Sequence, residues 1–259
     1  MTSVINLWIA PLVTPRVSAN VTAYEALLSE EERQKYHRFL LATTRHQYYC
    51  SHLLLRSALS AAVGYAVQPQ TWRFTRNNAG KPAIAPMLLE STLHYNLSHC
   101  KTAVAVAVST VGEVGIDIEE LDQTLTVLPV NHLLAEAEKK MLALEKPQMR
   151  KELFIKLWTL KEAYAKLWSV GHGLDFSHLE VSLNPVAVVR TELERDWFHD
   201  ASLHMREILI GERRYCVSLA WWSHPDRTIC IYTLDSCWAL IESDLVGRTD
   251  CIALRSQYS

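Results

Sequence analysis

The segment VGIDIEE, residues 114–120, places acidic side chains inside an otherwise apolar run. The alternation of apolar and acidic residues predicts a strand, in which successive side chains point to opposite faces. Asp117 and Glu119 then share one face, and Ile116 and Ile118 share the other. Two neighbouring carboxylates repel each other unless a cation lies between them, and an all-oxygen pair suits Mg²⁺ better than zinc. A strand end with hydrated acids is the alternative, which a lone D-x-E favours.

The segment KELFIKLWTLKEAYAKLWSVG, residues 151–171, has the apolar spacing of a helix. Glu162 and Lys166 lie one turn apart on a different face from the apolar stripe, and such a pair is usually a surface ion pair of ~0.2–0.5 kcal/mol. Here, however, Glu162 stands between Lys161 and Lys166. An acid between two lysines could be a third metal ligand or a proton acceptor held in its ionised form.

Four short motifs follow one another along the chain: GKP at 80–82, NLSH at 96–99, VGIDIE at 114–119 and WTLKEAYAK at 158–166. The last two resemble the signature pair of the Sfp-type 4'-phosphopantetheinyl transferases, in which G-I-D-I/V-E is followed by W/F-S/T/C-x-K-E-S/A-x-x-K. The resemblance covers roughly residues 30–185, and four ordered motifs are far more specific than one. Every patterned position is present, namely Gly115, Asp117, Glu119, Trp158, Thr159, Lys161, Glu162, Ala163 and Lys166.

The resemblance implies an enzyme that transfers the 4'-phosphopantetheine group of coenzyme A to a serine of an apo acyl or peptidyl carrier protein, releasing 3',5'-ADP. Such a phosphoryl transfer needs charge neutralisation at the pyrophosphate and removal of the serine proton. By resemblance, Mg²⁺, or Mn²⁺ in its place, is held by Asp117, Glu119 and Glu162, and coenzyme A is the donor substrate. Glu162, or a water held by the carboxylates, is the candidate base. Lys161 and Lys166 are expected to contact phosphate or to set the ionisation of the acid.

The phosphates of coenzyme A need local cationic or hydrogen-bonding partners, because the chain carries a net charge of -2. Arg45 and Arg56 could alternatively be exposed helix charges, and His99 could be a satisfied histidine at a strand end. The acidic run SEEER at 29–33 replaces a basic residue that relatives often carry, which reduces the phosphate binding expected of the early helix. The cofactor-binding residues implied by the resemblance are Arg45, Lys81, Pro82, Ser98, His99 and Lys166, with Lys35 and Arg56 as weaker candidates.

The first half of the chain predicts a strand, then helices, then strands. Residues 4–10 predict a first strand, and residues 21–63 have the apolar period of two or three helices. Residues 73–84 predict a loop because of their asparagines, glycine and proline. The runs LHYNLSH, TAVAVAVS and EVGIDIEE then predict a small antiparallel meander.

Helical periodicity returns over residues 131–169, with a break at Pro147 and a predicted stop at Gly171 and Gly173. The runs LEVSL, ASLHMREILIGERRYCVSLAWW and RTICIYTL again predict strands. The role of the tail, residues 236–259, stays open.

The predicted fold is an α/β (α+β) enzyme of two similar halves, related by a pseudo-two-fold axis, each with helices packed on a small mainly antiparallel sheet. Residues 1–112 form the predicted N-terminal half, on the side of the 3'-phosphate and adenine, and residues 113–259 form the half with the metal site and catalytic helix. By resemblance, coenzyme A and Mg²⁺ lie in the cleft between them. One chain then assembles a complete site, so a monomer is expected. A carrier protein, usually acidic, is expected to dock on basic and apolar surface.

The composition of the chain limits the class of protein, its binding partners and its location. With 259 residues, 49% hydrophobic and 21% charged, the chain is typical of an ordered globular protein, and its net charge of -2 argues against general binding of nucleic acid or anionic membrane. The six cysteines contain no C-x-x-C pair and are predicted to be reduced. The N-terminal segment lacks the positive region of a signal peptide and no apolar run is long enough to span a membrane, so we expect a cytoplasmic enzyme.

Two other functions remain open from the sequence. One is a different Mg²⁺-dependent phosphotransferase or phosphohydrolase that acts on a nucleotide-like substrate. The other is a carrier-binding module without activity, which the presence of all three carboxylates and both lysines disfavours. The glycines form neither a Walker loop nor G-x-G-x-x-G, and neither H-E-x-x-H nor G-x-S-x-G occurs.

Overall fold

The computed structural model describes residues 3–12, 25–76, 80–86, 93–123, 130–169, 175–191, 201–222, 227–235 and 248–254. The chain divides into two compact units. Residues up to 111 together with 226–255 form the first unit, and residues 112–225 form the second. None of the helices in the described ranges combines the length and apolar character that crossing a membrane requires.

The first unit is built on a five-stranded sheet with the order β12-β11-β1-β5-β4. β1 pairs in parallel with β11, and the other neighbours are antiparallel. A separate two-stranded hairpin joins β2 to β3. The strands are β1 (Ser3–Pro11), β2 (Phe74–Arg76), β3 (Pro82–Ile84), β4 (His94–His99), β5 (Ala103–Ser109), β11 (Arg227–Thr233) and β12 (Arg248–Leu254).

Two helices belong to this unit, α1 (Glu30–Arg38) and α2 (Ala42–Ala62). α1 begins at a capping box, in which Ser29 and Glu32 each accept a hydrogen bond from the backbone N–H of the other. α2 buries a leucine-rich face, including Leu53 and Leu59, against the valines of β5 and against Trp8. Full burial of each such side chain contributes about 1.5–3 kcal/mol, so this packing fixes α2 on the sheet.

The second unit has a three-stranded antiparallel sheet with the order β6-β10-β9 and a two-stranded pair of β7 and β8. Its longest helix, α5, packs against β6 and β10 and supplies much of the apolar core of this unit. The elements are β6 (Val114–Glu120), α3 (Val130–Leu133), α4 (Glu136–Leu144), α5 (Pro147–Trp168), β7 (Leu179–Leu183), β8 (Val186–Thr191), β9 (Ala201–Ile210) and β10 (Arg213–Trp222).

The helix α5 approaches β6 most closely at Gly115. A Cβ atom at this position would lie 2.0 Å from the carbonyl oxygen of Ala163 and 2.5 Å from the backbone nitrogen of Leu167. Both atoms belong to the helix backbone, which cannot rotate away as a flexible side chain can. Only glycine therefore lets the last turns of α5 lie directly on the strand.

The structure confirms a mixed α+β fold with small, mainly antiparallel sheets and corrects two details. The predicted meander is wrong, because β4 pairs with β5 whereas β6 pairs with β10 in the other unit. The segment predicted as a loop, 73–84, contains β2 and β3. The predicted stop of α5 at Gly171 and Gly173 lies outside the described residues; the helix ends at Trp168, followed by Ser169 in the left-handed region at φ 59°.

The two units also differ from the predicted halves. The predicted C-terminal half, 113–259, includes β11 and β12, but both strands belong to the sheet of the first unit. The physical reason is the parallel pairing of β11 with β1, which no local sequence pattern reveals. The role of the tail from 236 stays open, although β12 within it is now placed beside β11.

The substitution Gly115→Ala tests the close approach of α5 to β6. The added methyl group would force apart two backbone segments, and overpacking of this kind costs about 1–3 kcal/mol. We expect a loss of about 3 kcal/mol in the free energy of unfolding, measured by urea denaturation. A change of less than about 0.5 kcal/mol, the range of an ordinary surface substitution, would contradict the close approach.

Candidate active site

Asp117 and Lys166 form an ion pair between β6 and the last turn of α5. Lys166 Nζ donates to Asp117 Oδ1 at 2.6 Å, and the side chains are 28% and 6% exposed, respectively. The pair is possible because Gly115, two residues before Asp117 on the same face of the strand, admits the helix. The ion pair places a cation and a carboxylate together where the lysine side chain is partly exposed to solvent.

Glu119 lies two residues further along the same face of β6, and Gln123 Nε2 donates to its Oε2 at 3.1 Å. Burial, together with the neighbouring charges of Asp117 and Glu162, raises the pKa of Glu119 to about 7 against the opposing effects of Gln123 and Lys166. The structure thus brings the carboxylates of Asp117, Glu119 and Glu162 and the ammonium group of Lys166 close enough for their charges to interact. This group carries more negative than positive charge when all its members are ionised.

A buried polar contact fixes α5 beside this group. Ser218 Oγ donates to Thr159 Oγ1 at 3.0 Å, and Thr159 donates in turn to the carbonyl oxygen of Lys156 at 3.1 Å. Ser218 is the register partner of Asp117 on the adjacent strand. Thr159 therefore anchors the helix to β10 directly beside the strand that carries the carboxylates.

Lys161 lies elsewhere, although it precedes Glu162 in the sequence. Its side chain is fully buried, forms an ion pair with Glu138 of α4, and donates to the carbonyl oxygens of Leu133 at 3.0 Å and Phe176 at 2.8 Å. Burial lowers the pKa of Lys161, and the charge of Glu138 opposes that effect. The structure does not bring Lys161 to the carboxylates, because five residues turn the helix by about 140°. This position corrects the predicted phosphate contact and favours a structural role.

In the first unit, two of the predicted cofactor residues lie near the junction of α1 and α2. Lys35 is exposed, and its Nζ lies 5.1 Å from the centre of the Tyr48 ring. Arg45 is half-buried and donates from Nε and Nη2 to the carbonyl oxygen of Phe39 at 3.3 and 2.8 Å. Both side chains therefore lie at the junction of the two helices.

The end of β4 is tied to the start of α2 by Gln47. The amide nitrogen of Gln47 lies 2.8 Å from Nδ1 of His99 and donates to the carbonyl oxygen of Cys100 at 2.9 Å. His99 is exposed, whereas Ser98 before it is 5% exposed. Of the GKP motif, Lys81 is buried at 8% exposure and Pro82 is exposed at the start of β3.

Arg56 is placed differently from its prediction as a weaker cofactor residue. It is 1% exposed, pairs with Glu32, and donates to the carbonyl oxygens of Pro69 and Trp72 at 2.8 and 3.0 Å. These contacts use its guanidinium group inside the unit, which favours a structural role. The pKa of Glu32 falls to about 2, because hydrogen bonding and charge from His52 and Arg56 outweigh the effect of burial.

Several residues of these networks were missed from the sequence. Glu32 carried a recognisable signal, because Ser29-x-x-Glu32 is a capping-box pattern, but it was interpreted only as part of an acidic run. Glu138, Gln47 and Gln123 carried no such signal. The partner of Gln123, Glu119, is only 4 residues away. His99, however, lies 52 residues from Gln47, and Val181, whose N–H donates to Glu138, lies 43 residues from Glu138, so only the fold brings those groups together.

The carboxylate group fits a divalent cation in its chemistry but is not assembled as a complete ligand set. Its donors are oxygens, which Mg²⁺ prefers. The charges of Asp117 and Glu162, which add to burial in raising the pKa of Glu119, are negative charge that a cation would balance. Among the residues that the structure describes, however, no three His, Cys, Asp or Glu side chains lie close enough together to hold a metal ion. Asp117 and Glu119 are the donors available on the strand, and Lys166 is the cation beside them.

Comparisons with known proteins identify the family. Residues 14–111 match the model of the 4'-phosphopantetheinyl transferase N-terminal region, and residues 113–220 match the model of the 4'-phosphopantetheinyl transferase superfamily. A 4'-phosphopantetheinyl transferase of Bacillus subtilis is 30% identical over 168 residues, which cover 65% of this chain and 72% of that protein. The chain belongs to the 4'-phosphopantetheinyl transferase family.

Two further relatives of the transferase are also named 4'-phosphopantetheinyl transferases. The 4'-phosphopantetheinyl transferase HetI of Nostoc sp. is 28% identical over 195 residues, covering 74% of this chain and 80% of that protein. The 4'-phosphopantetheinyl transferase Sfp of Bacillus subtilis strain 168 is 27% identical over 170 residues, covering 66% and 73%. The predicted family and enzyme class are thus confirmed.

The buried pair of Glu138 and Lys161 gives a test of its structural role in the transferase. Lys161→Met leaves Glu138 buried without its cation, and removing one partner of a buried pair costs about 3–5 kcal/mol. We expect that loss in the free energy of unfolding and a partial recovery in Lys161→Met/Glu138→Gln, measured as a double-mutant cycle. Wild-type stability in Lys161→Met with loss of transfer would show instead that Lys161 takes part in the chemistry.

The raised pKa of Glu119 predicts a pH dependence of stability. Between its ordinary pKa of 4.5 and about 7, the folded transferase keeps a proton that the unfolded chain has released. This residue therefore makes stability fall as pH rises through that window. We expect Glu119→Gln to remove this component, so that the variant gains stability over the wild type at pH above about 7 but not below about 4.5. Parallel stability curves for the two proteins across this window would refute the shift.

Proposed function

We propose that the transferase moves the 4'-phosphopantetheine group of coenzyme A to a serine of an apo acyl or peptidyl carrier protein, in a Mg²⁺-dependent step that releases 3',5'-ADP. The observation that carries this proposal is the ion pair of Asp117 with Lys166 beside Glu119, formed by the two signature motifs of the family. It supplies carboxylate oxygens for a cation and an ammonium group for phosphate at one place.

The metal would be held by Asp117 and Glu119, with Glu162 as the third ligand that the family resemblance implies. When bound, Mg²⁺ supplies charge neutralisation at the pyrophosphate and at the leaving phosphate. Lys166 has a second task in this arrangement. It neutralises Asp117 in the present structure, and its ammonium group becomes available to donate to a phosphate oxygen once the carboxylates have another cation.

In the transfer step, the serine oxygen of the carrier attacks the phosphorus atom that bears the pantetheine arm. The bond from that phosphorus to the bridging oxygen breaks, and 3',5'-ADP leaves with the electron pair. Glu162, or a water hydrogen-bonded to the carboxylates, accepts the serine proton. A proton acceptor in this group needs a carboxylate that is ionised near neutral pH, which the adjacent Lys166 favours.

Basic and polar groups of the first unit would contact the 3'-phosphate and the adenine side of coenzyme A. The candidates on the surface are Lys35 and His99, with Arg45 half-buried beside them. Ser98 and Lys81 are largely buried. We therefore propose that coenzyme A contacts the residues next to them, in β4 and just before β3. Arg56 is not part of this proposal, because its guanidinium group is taken up by Glu32 and by backbone carbonyls.

The proposal predicts a chelator-sensitive gain of one phosphopantetheine on an apo carrier protein, measured as intact mass after incubation with the transferase, coenzyme A and Mg²⁺. Asp117→Asn and Glu162→Gln should each slow the gain at least about 100-fold, the lower range for loss of acid–base or metal-ligand function. Coenzyme A should raise the melting temperature of the wild type, whereas ATP should not.

Glu152→Gln is the matched control, because Glu152 lies on the same helix but pairs with Lys156 at 2.7 Å and with Arg214 at 3.2 Å, outside the carboxylate group. It should leave the rate within about twofold, since such partly exposed pairs contribute little. Full transfer by either site variant would overturn the metal and base assignments. Stabilisation by ATP in place of coenzyme A would favour a different phosphotransferase.

A further inference from the structure

The turn between α1 and α2 presents two leucines to solvent. Leu40 is 95% exposed and Leu41 is 67% exposed, and Leu40 has the largest exposed fraction of the large hydrophobic residues in the described part of the chain. Single exposed hydrophobic residues are ordinary on protein surfaces, but two adjacent ones that contact little else suggest a surface that binds a partner. We call this surface, formed by His37, Arg38, Leu40 and Leu41, the leucine turn.

The leucine turn is held in place by contacts from both helices. The N–H of Phe39 donates to the carbonyl oxygen of Tyr36, and the carbonyl of Phe39 accepts two hydrogen bonds from the guanidinium group of Arg45. That guanidinium group also lies 5.8 Å above the Tyr36 ring, and the Phe39 ring packs against Tyr48 at 5.2 Å. The two leucines are thus presented by a constrained backbone, which lowers the entropy lost when a partner binds.

Basic side chains lie just before the two leucines. The last turn of α1 carries Lys35, His37 and Arg38, and all three side chains are exposed. Within the described ranges, neither Lys35 nor Arg38 forms an ion pair. A partner that covers the leucine turn must therefore bring apolar side chains for the leucines and carboxylates for the cations.

The location favours the protein substrate as that partner. Lys35 and Arg45, which we propose as coenzyme A contacts, lie on the same two helices as the leucine turn, and Arg45 directly supports it. A protein bound there would lie beside the donor substrate. An anionic membrane fits less well, because the same helix begins with the exposed acids Glu30 and Glu31 and its positive charges are few.

We propose that the leucine turn is a docking surface for an acidic, partly apolar surface of the protein that accepts the phosphopantetheine group. This inference rests on the proposed function and adds to it the place where the acceptor binds. Leu40 and Leu41 supply the apolar contact, and Arg38 supplies charge that guides and orients the acidic partner. The two kinds of residue should therefore affect binding in different ways.

The test is steady-state transfer to a purified apo acyl carrier protein, with separate KM values for carrier and for coenzyme A. In Leu40→Ser/Leu41→Ser, we expect the KM for carrier to rise at least about tenfold, with kcat and the KM for coenzyme A within about twofold. Because both side chains are exposed, the melting temperature should not change. Arg38→Glu should raise the KM for carrier at low salt, and high salt should reduce that effect.

Leu144→Ser is the matched control, since Leu144 is also a leucine at the end of a helix, is 88% exposed, and lies in the second unit. It should leave all three constants within about twofold of the wild type. An equal rise of the KM for carrier in this control would mean that exposed leucines act non-specifically, and would overturn the proposal.

Three other outcomes would also overturn it, and they are distinguishable from one another. If the wild type modifies the carrier and the double leucine variant has the same KM for carrier, the docking surface is wrong while the proposed function stands. If that variant instead loses binding to phosphatidylserine vesicles, the leucine turn contacts membrane. If the wild type modifies no apo acyl or peptidyl carrier protein, the proposed function fails and the docking proposal fails with it.

Discussion

The close contact of one helix with one glycine on a strand determines the arrangement of the candidate site. Without a side chain at Gly115, the backbone of α5 lies against β6, and Lys166 reaches Asp117 at 2.6 Å. A wider separation would leave the carboxylates of β6 buried beside each other with their cation out of reach, which is unfavourable. The apolar core of the second unit and the contact of Thr159 with Ser218 hold the helix at this distance.

The two lysines of the helical motif show how one short segment can serve two purposes. Lys161 and Lys166 are five residues apart, so they leave the helix in directions that differ by about 140°. Lys161 points into the unit and joins α5 to Glu138 and to two backbone carbonyls, whereas Lys166 points to the strand carboxylates. Several residues of the signature, including Gly115 and Thr159, therefore position the helix, and fewer take part in the chemistry.

The sequence predicted the elements well where the signal was local. Period-2 alternation in VGIDIEE correctly placed Asp117 and Glu119 on one face, and the helical period of 151–171 predicted the main helix of the second unit, which spans Pro147–Trp168. The prediction from sequence failed where a strand or side chain is paired with a partner that is far away in the sequence. Nothing near β6 shows that its neighbour is β10 rather than β5, and nothing near Lys161 shows that Glu138 will neutralise it. Arg56 was assigned to a ligand for the same reason, since its partner Glu32 lies 24 residues earlier.

The pairing of Ser3 with Arg227 has a consequence for how this protein is made. A chain emerging from the ribosome exposes β1 long before β11 exists, so one edge of β1, the central strand of the first sheet, stays unpaired until residues 112–225 and β11 have been synthesised. Residues 112–225 form a separate compact unit and can collapse during that interval. Contacts that join distant parts of a chain form slowly, and unpaired strand edges are prone to aggregate. The strands β11 and β12, which are synthesised after the second unit, therefore complete the unit that began with β1.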